Sequence, residues 1–346
     1  MIGSVAIIGA GTMGGGIAIT SLKAEIPTTI VDTTEEALER VHERIRRHFA
    51  REVDKGRMDQ AQCDKACRCL TVSTDLYSAK GADLLIEAVF EDLSVKQALL
   101  SRLQPLLKPD AVIATNTSCL QVTEIGKVLD DPGRLLGLHY FSPAEISPTV
   151  EVISTPSTRS GVLSLALEFL AATGKSPLPC KDSPGFALNR FFCPYCNEAV
   201  RLLDEGVASA GQIDLVARET FGVPAGPFKV MNLTKPVIML RAMQGLEHLG
   251  DIYRAAQGLK KAGETGDDWE IEDDPDLIAD RAREIMVSRL RRALCLPAFE
   301  ALEQGVVSAE DLDRGAREAL RFVNTPITLL TGTQLEERHA LPKKKF

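Results

Sequence analysis

The sequence predicts an α/β fold: a doubly wound, mainly parallel sheet followed by an all-α C-terminal domain with an internal repeat. Three observations support this prediction. Short apolar runs alternate with helical patterns up to residue 181, and a glycine-rich turn directly follows the first run. From Phe186 onward only helical periodicity remains. We therefore expect a domain at 1–183, a first helical repeat with a linker at 184–284, and an abbreviated second repeat at 285–346.

Composition and charge exclude several classes of protein. The chain has 346 residues, of which 45% are hydrophobic and 25% charged, as in ordinary globular proteins with two or three domains. A net charge of -8 argues against nucleic-acid binding, and no apolar run approaches the roughly 18 residues of a membrane span. The first residues enter a strand pattern without the features of a secretory signal. Eight cysteines do not indicate a disulfide scaffold, so we expect a cytoplasmic location.

Eight apolar runs are predicted as strands. In chain order they are Val5–Ile8, Thr28–Val31, Leu70–Ser73, Leu84–Val89, Ala111–Ala114, Leu135–Tyr140, Val150–Ile153 and Ser176–Lys181. Helical patterns cover Ile17–Leu22, Thr34–Lys55, Asp59–Cys69, Ser94–Leu107, Val122–Leu129 and Ser160–Thr173. This alternation is typical of a sheet that is covered on both faces, in which functional groups collect at the carboxyl ends of the strands.

The turn after the first strand has the spacing of a dinucleotide-binding loop. Gly9, Gly11 and Gly14 form a G-x-G-x-x-G pattern between a strand and a helix. The first glycine permits a tight turn, the second lets the backbone approach a pyrophosphate, and the third allows close helix–strand packing. The pattern predicts a Rossmann-type domain with the pyrophosphate at the start of the helix.

An acidic residue at the end of the second strand indicates which cofactor is bound. Asp32 follows Gly14 by eighteen positions, where a carboxylate accepts hydrogen bonds from ribose hydroxyls. This carboxylate would repel a 2′-phosphate, and no arginine follows it immediately. The sequence therefore predicts NAD rather than NADP.

Basic residues recur every three or four positions along the predicted helix 34–55 and so share one face. They are Arg40, Arg44, Arg47, Arg51 and Lys55. The usual interpretation of such a pattern is a solvated face. The alternative is a contact surface for a phosphorylated substrate tail.

The stretch 137–153 places a histidine and a glutamate on two strands joined by a proline-containing bend. If the strands fold back on each other, the His139 imidazole comes beside the Glu151 carboxylate, which is the pairing of a general base and its orienting partner. The alternative for this stretch alone is a structural histidine and a surface glutamate. Because Glu91 and Ser118 also follow strand ends, they are expected at the same sheet edge.

The C-terminal part contains an internal repeat at an offset of 99 residues. Residues 205–218 (EGVASAGQIDLVAR) and 304–317 (QGVVSAEDLDRGAR) are identical at seven of fourteen positions. Pro227 likewise corresponds to Pro326. We interpret the repeat as a duplicated helical unit. The acidic stretch Glu264–Asp276 between the copies is expected to be a solvated loop.

Cysteine patterns and a basic terminus are interpreted as structural. Cys193-Pro194-Tyr195-Cys196 has CxxC spacing but lies within a predicted helix rather than at the start of one after a strand. The cluster at 63, 67 and 69 lacks a second group of ligands, so no metal site is expected. The run Lys343-Lys344-Lys345 is expected to be a solvated tail.

Motifs across nearly the whole chain resemble the L-3-hydroxyacyl-CoA dehydrogenase family. They are GAGTMGGGIA (9–18), EAVFEDLSVK (87–96), TNTSCL (115–120), GLHYFSP (137–143), VEVI (150–153), KDSPGFALNR (181–190), DEGVASAGQID (204–214) and VPAGPF (223–228). Their order and spacing are similar to those of the family. The HYFSP form and the tandem helical unit resemble the dehydrogenase part of multifunctional fatty-acid oxidation enzymes.

The resemblance implies an oxidoreductase of fatty-acid metabolism (β-oxidation) that reversibly oxidises an (S)-3-hydroxyacyl-CoA to the 3-ketoacyl-CoA with NAD. By position, His139 matches the catalytic base and Glu151 the acid that orients it. Ser118 matches a hydroxyl that contacts the substrate oxygen, and Asn189 an amide that helps to bind substrate. Ser142 replaces an asparagine that many members carry and that donates toward the substrate carbonyl.

Two residue sets complete the expected site. The residues expected to bind NAD are Gly9, Gly11, Thr12, Met13, Gly14, Asp32, Glu91, Lys96 and Asn116, with Glu91 and Lys96 on the nicotinamide-ribose side. The residues expected to bind substrate are Ser118, Ser142, Asn189, Arg47 and Arg51. Three matters stay open. The substrate could instead be a carrier-protein-bound or free hydroxy acid, the chain could be a non-enzymatic NAD-binding protein, and a homodimer and a monomer are both compatible with the repeat.

Overall fold

The computed structural model describes residues 1–331, which form two compact units, the first at Met1–Asp182 and the second beginning at Ser183. No helix within these residues is long and apolar enough to cross a membrane. The predicted lysine tail lies outside the described residues.

The first unit is built on one eight-stranded sheet with the order β3-β2-β1-β4-β5-β6-β7-β8. Its strands are β1 (Val5–Ile8), β2 (Thr28–Val31), β3 (Leu70–Ser73), β4 (Leu84–Glu87), β5 (Val112–Thr115), β6 (Leu135–Tyr140), β7 (Thr149–Ser154) and β8 (Ser176–Lys181). Every neighbouring pair is parallel except β6 and β7, which are antiparallel. The prediction of a mainly parallel, doubly wound sheet is confirmed.

Six α-helices belong to this unit. They are α1 (Thr12–Lys23), α2 (Glu35–Asp54), α3 (Gln60–Arg68), α4 (Leu93–Leu103), α5 (Val122–Gly126) and α6 (Ser160–Ala172). The buried residues of α2 are all apolar and recur at helical spacing: Leu38, Val41, Ile45 and Phe49. This burial holds the basic helix against the unit while its polar side remains exposed.

Three predicted elements end at least two residues earlier than expected. The helix predicted as Val122–Leu129 ends at Gly126, and local reasons account for the other two. The run predicted as Leu84–Val89 ends at Glu87, because the Val89 N–H donates to the Glu87 carboxylate at 2.7 Å instead of to a strand. The helix predicted to reach Leu107 ends at Leu103, where a short 3₁₀ turn containing Pro105 follows.

The second unit is helical, with α7 (Asn189–Asp204), α8 (Ala210–Phe221), α9 (Pro227–Thr234), α10 (Pro236–Leu246), α11 (Gln257–Thr265), α12 (Asp280–Glu303), α13 (Ala309–Glu318) and α14 (Pro326–Thr331). The end of α7 and the starts of α8 and α9 correspond to the end of α12 and the starts of α13 and α14 at the repeat offset. The helix boundaries thus agree with the internal repeat. The division into repeats at 184–284 and 285–346 stays a proposal.

The acidic residues of the stretch 264–276 are exposed, as the sequence predicts, but the stretch begins within α11 and also makes tertiary contacts. Glu272 Oε2 accepts a hydrogen bond from the Gly211 N–H at 2.8 Å, at the start of α8. The Trp269 ring packs edge-on against Phe228, with centroids 5.5 Å apart. Trp269 thus makes an apolar contact that the acidic pattern of the stretch did not predict.

The CxxC pair has a structural environment. Cys193 and Cys196 are buried inside α7, where burial raises the pKa of the Cys196 thiol well above its ordinary value. Because the thiolate is the reactive form, this environment disfavours redox chemistry. The interpretation as a structural pair is supported.

A buried carboxylate in the second unit leads to a prediction about stability and pH. Asp214 accepts from the Phe228 and Lys229 N–H groups at 2.8 and 3.0 Å, and its burial raises the pKa to about 6. The folded state therefore binds this proton more tightly than the unfolded state. The protonated carboxyl therefore stabilises the wild type at low pH, and this stabilisation is lost as pH rises. We expect the free energy of unfolding of the wild type, relative to that of Asp214→Asn, to decrease by at most about 3 kcal/mol as pH rises from about 4 to 6. Urea denaturation across this range measures it, and a constant difference would contradict it.

Candidate active site

Backbone geometry at the glycine loop requires the predicted glycines. Gly9 has a φ of 111°, and a Cβ there would lie 2.5 Å from the Ala88 carbonyl oxygen. A Cβ at Gly14 would lie 1.9 Å from the Gly9 oxygen. At Gly11, by contrast, no atom of residues 1–331 other than those of Gly11 and its chain neighbours lies within 4 Å of the same position. The loop is therefore closed toward the protein and open at the glycine expected to face a pyrophosphate.

The start of α1 and the end of β2 have the hydrogen-bonding groups that a dinucleotide needs. Within the described chain, no side chain caps the first turn of α1, so its N–H groups remain for a ligand. Asp32 Oδ2 accepts from the Ala10 N–H at 2.7 Å, which holds the carboxylate beside the loop. The residues present fit NAD, with the loop for the pyrophosphate and Asp32 for a ribose.

The predicted base and its partner lie opposite each other on the antiparallel pair of strands. His139 of β6 and Glu151 of β7 are register partners, and His139 Nδ1 lies 2.6 Å from Glu151 Oε2. The side chains are nearly inaccessible, with residue exposures of 5% and 0%. Because a carboxylate only accepts, the proton of this bond is on Nδ1, and Nε2 is the nitrogen that can take a further proton.

Glu91 organises the loop that carries Ser118. Its Oε1 accepts from the Thr117 hydroxyl at 2.6 Å and from the backbone N–H groups of Ser118 and Cys119 at 2.7 and 3.1 Å. Burial alone would raise the pKa of this carboxyl, but the Lys96 ammonium and these donors outweigh burial and lower it. Glu91 is therefore held as a carboxylate, which suits loop positioning rather than proton donation.

A buried ion pair beneath this loop includes a residue that sequence reasoning missed. Lys96 Nζ lies 2.8 and 2.9 Å from the two oxygens of Glu87 and 3.2 Å from Glu91. The Thr115 hydroxyl also donates to Glu87 at 2.6 Å. The sequence predicts that Lys96 lines the cofactor site. Only 1% of it is exposed and its ammonium contacts Glu91, so its role toward the cofactor stays a prediction. The sequence signal that could have identified Glu87 is the presence of an acidic residue at the end of an apolar strand.

Asn116 connects two strand ends at the site. Its side-chain oxygen accepts from the Tyr140 N–H at 2.9 Å, next to His139 in sequence. Ser142 is exposed in the 141–148 connection between β6 and β7. Asn189 begins α7 in the second unit, so its role toward His139 stays a prediction.

The basic face of α2 borders a cavity lined by Arg44, Arg47, His48, Arg51 and Glu145. Arg47 is exposed and pairs with Glu43 on its own helix at 3.0 Å. Burial lowers the pKa of His48, against the opposing effect of nearby carboxylates. The sequence does not single out His48, because it lies between the arginines of the basic repeat.

Comparison with protein families decides the assignment. Residues 4–183 match the model described as "3-hydroxyacyl-CoA dehydrogenase, NAD binding domain", and residues 185–268 match the corresponding C-terminal domain. The chain belongs to the 3-hydroxyacyl-CoA dehydrogenase family. The expectations of an NAD-dependent oxidoreductase and of this family are confirmed.

Two dehydrogenases of other organisms are similar to this chain in sequence. A probable 3-hydroxyacyl-CoA dehydrogenase of Caenorhabditis elegans is 37% identical over 237 residues, which cover 67% of this chain and 77% of that protein. The 3-hydroxyadipyl-CoA dehydrogenase of Escherichia coli is 36% identical over 230 residues, 66% of this chain. The match spans only 48% of that longer relative.

A solved structure agrees in fold along the chain. The crystal structure of 3-hydroxybutyryl-CoA dehydrogenase from Escherichia coli has a TM-score of 0.85 and 23% identity, and the match covers 99% of this chain and 96% of that one. At this identity the likeness is one of fold. It supports the two-part architecture of a sheet domain followed by a helical domain.

Proposed function

We propose that this protein oxidises the 3-hydroxyl group of an (S)-3-hydroxyacyl-CoA to the 3-ketoacyl-CoA with NAD, reversibly. The buried contact between His139 and Glu151 carries the proposal. It lies at the end of β6, where functional groups of an open parallel sheet collect. The family membership supplies the cofactor and the class of reaction.

In this reaction His139 acts as the general base, and Glu151 orients it. The glycine loop and Asp32 would hold NAD, which would supply the acceptor for the hydride that leaves C3 of the substrate. His139 Nε2 takes the hydroxyl proton as the C3–O bond becomes a double bond, and it returns that proton in the reverse direction. Glu151, hydrogen-bonded to Nδ1, fixes the tautomer and stabilises the imidazolium that forms.

Three further side chains are proposed to hold the substrate. The Ser118 hydroxyl contacts the substrate oxygen, and the three hydrogen bonds from its loop to Glu91 support this role by fixing the backbone. Ser142 donates toward the substrate carbonyl, and Asn189 helps to bind the substrate. Because serine is shorter than the asparagine of many relatives, Ser142 requires a closer approach of the substrate or a bridging water.

The CoA moiety is proposed to lie along the basic face of α2. Arg47 and Arg51 are exposed and line the same cavity as His48, so cationic groups meet the phosphates there. A phosphopantetheinyl carrier would offer one phosphate to this face, whereas CoA offers three. The number of cationic side chains favours CoA.

The test is NADH formation from the 3-hydroxybutyryl group presented in three forms. We expect turnover with the CoA thioester, weaker turnover with the carrier-bound thioester and none with the free acid, and NAD preferred to NADP because of Asp32. A series of acyl chain lengths in the same assay defines the preferred substrate. Activity only with the free acid would contradict the CoA proposal, and NAD binding without any turnover would indicate a non-enzymatic protein.

Location, pathway and assembly are part of the proposal. The low cysteine content supports a cytoplasmic location, and the net charge of -8 supports the absence of a nucleic-acid partner. A role in fatty-acid β-oxidation follows from the proposed substrate. A monomer and a homodimer both remain, since the second helical repeat can cover surface that a partner would otherwise cover. Light scattering distinguishes these states, and fractionation of cells tests the location.

A further inference from the structure

The 141–148 connection joins the strand of His139 to the strand of Glu151 and is tied to two other elements. Arg44 of α2 contacts both the connection and α1 through one guanidinium group. Its Nη2 donates to Glu145 Oε1 at 2.8 Å, and its Nη1 donates to the carbonyl oxygen of Thr12 at 2.7 Å. Thr12 is the first residue of α1 and belongs to the proposed cofactor loop. A single side chain therefore links the catalytic connection to the start of the cofactor helix.

The connection is packed closely against α1 at the same place. A Cβ at Gly16 would lie 2.5 Å from Glu145 Oε2 and 3.0 Å from Ala144 Cβ. Glu145 Oε2 is buried and has no hydrogen-bond partner within residues 1–331, so Arg44 supplies the side-chain contact that compensates this carboxylate. Burial of a carboxylate without a cation is unfavourable, so the Glu145 carboxylate depends on Arg44 at this place.

A buried lysine holds the other side of the connection. Lys175 Nζ donates to the carbonyl oxygens of Ala144 and Ser147 at 2.6 and 2.7 Å. The backbone on both sides of Glu145 is thus fixed by one cation, while the side chain is fixed by another. Only Ser142, Pro143 and Ile146 of the connection are exposed.

We propose that Arg44 is a positioning residue for the dehydrogenase reaction: through Glu145 it fixes the Ser142-bearing connection relative to the cofactor loop. The inference rests on the proposed function. It assigns to Arg44 a task other than phosphate binding, although Arg44 belongs to the basic face of α2. Two of its nitrogens donate to protein oxygens, and its charge is opposed by Glu145. Arg47, by comparison, is directed to solvent, with 65% of its side chain exposed.

A substrate without phosphates separates positioning from phosphate binding. The assay compares 3-hydroxybutyryl-CoA with the pantetheine thioester of 3-hydroxybutyrate, which lacks the CoA phosphates. We expect Arg44→Met to lower kcat/KM by roughly 10- to 100-fold for both thioesters, since misplacement of binding groups by about 1 Å costs up to that factor. We expect Arg47→Met to affect the CoA thioester only. The matched control Arg46→Met, which removes an exposed arginine of the same helix, should affect neither.

Two further variants keep the test decisive if Arg44→Met folds poorly. Glu145→Gln keeps the shape of the side chain and removes its charge, and Arg44→Lys retains a cation that reaches only one of the two oxygens. Each should lower kcat by a smaller factor than Arg44→Met, with the dissociation constant of NAD changed by less than about threefold. When Arg44→Met and Glu145→Gln are combined, the loss of kcat should equal that of Arg44→Met alone, because Arg44→Met already removes the contact that Glu145→Gln weakens.

Three results would overturn the inference. An Arg44→Met effect confined to the CoA thioester would make Arg44 a phosphate ligand. A lowered melting temperature with unchanged kcat, or losses that add in the double variant, would make the contact merely structural. Absence of wild-type turnover with both thioesters would instead remove the proposed function on which the inference rests.

Discussion

Replacement of His139 by glutamine is expected to abolish nearly all turnover while NAD binding is retained. His139 supplies the nitrogen that takes the substrate proton, and loss of a general base costs about 10²- to 10⁴-fold in rate. The amide of the introduced glutamine can still donate a hydrogen bond to Glu151, so the buried carboxylate keeps a partner. NADH absorbance measures kcat, and calorimetry measures the dissociation constant of NAD, which we expect to stay within about twofold because His139 is outside the glycine loop.

Two companion variants define what the loss means. His248→Gln changes an exposed histidine that is not among the proposed site residues, and it should leave kcat unchanged. Glu151→Gln keeps the base but removes the carboxylate that stabilises the imidazolium, so its kcat should fall by a large factor, about 10²-fold or more. Full activity of His139→Gln would show that another group is the base.

The parts of the site that sequence predicted are those with local or register-defined signals. The glycine loop is specified by the spacing of its three glycines and by the strand before it. The pairing of His139 with Glu151 followed from two strands and a bend, because an antiparallel return brings residues at both ends of the bend opposite each other. Family motifs then gave these residues chemical roles that the geometry alone leaves open.

Other contacts had no signal in the sequence because their partners are far apart along the chain. Arg44 and Glu145 are 101 positions apart, and the periodicity of α2 indicated only that Arg44 shares a face with other basic residues. Glu87 and Lys96 are only nine positions apart, yet their pairing depends on how α4 returns beneath the Ser118 loop. A residue pattern predicts which face of an element is polar, whereas tertiary packing decides which polar groups meet.

The second large effect is expected on stability, from replacement of Lys96 by methionine. The side chains of Lys96 and Glu87 are 1% and 0% exposed, and the ammonium is within 3.2 Å of two carboxylates. Removal of one partner from a buried ion pair leaves an uncompensated charge, so we expect a loss of about 3–5 kcal/mol in the free energy of unfolding. This is a large part of the roughly 5–15 kcal/mol that stabilises a typical protein. Urea denaturation of the purified variant measures the loss.

The matched control is Lys108→Met, because Lys108 pairs with Asp83 at 2.7 Å while 42% and 31% of the two side chains are exposed. For this solvated pair we expect a loss of at most about 1 kcal/mol. Adding Glu87→Gln to Lys96→Met should recover part of the stability, since the amide is neutral. Its single oxygen still accepts from the Val89 N–H, and the Thr115 hydroxyl, which meets the other carboxylate oxygen, can accept from the amide NH2 group. Equal losses for the two lysine variants, or a further loss in the double variant, would show that the buried charge of Glu87 does not need Lys96. Recovery would instead show that Lys96 stabilises the fold chiefly by compensating the buried charge of Glu87.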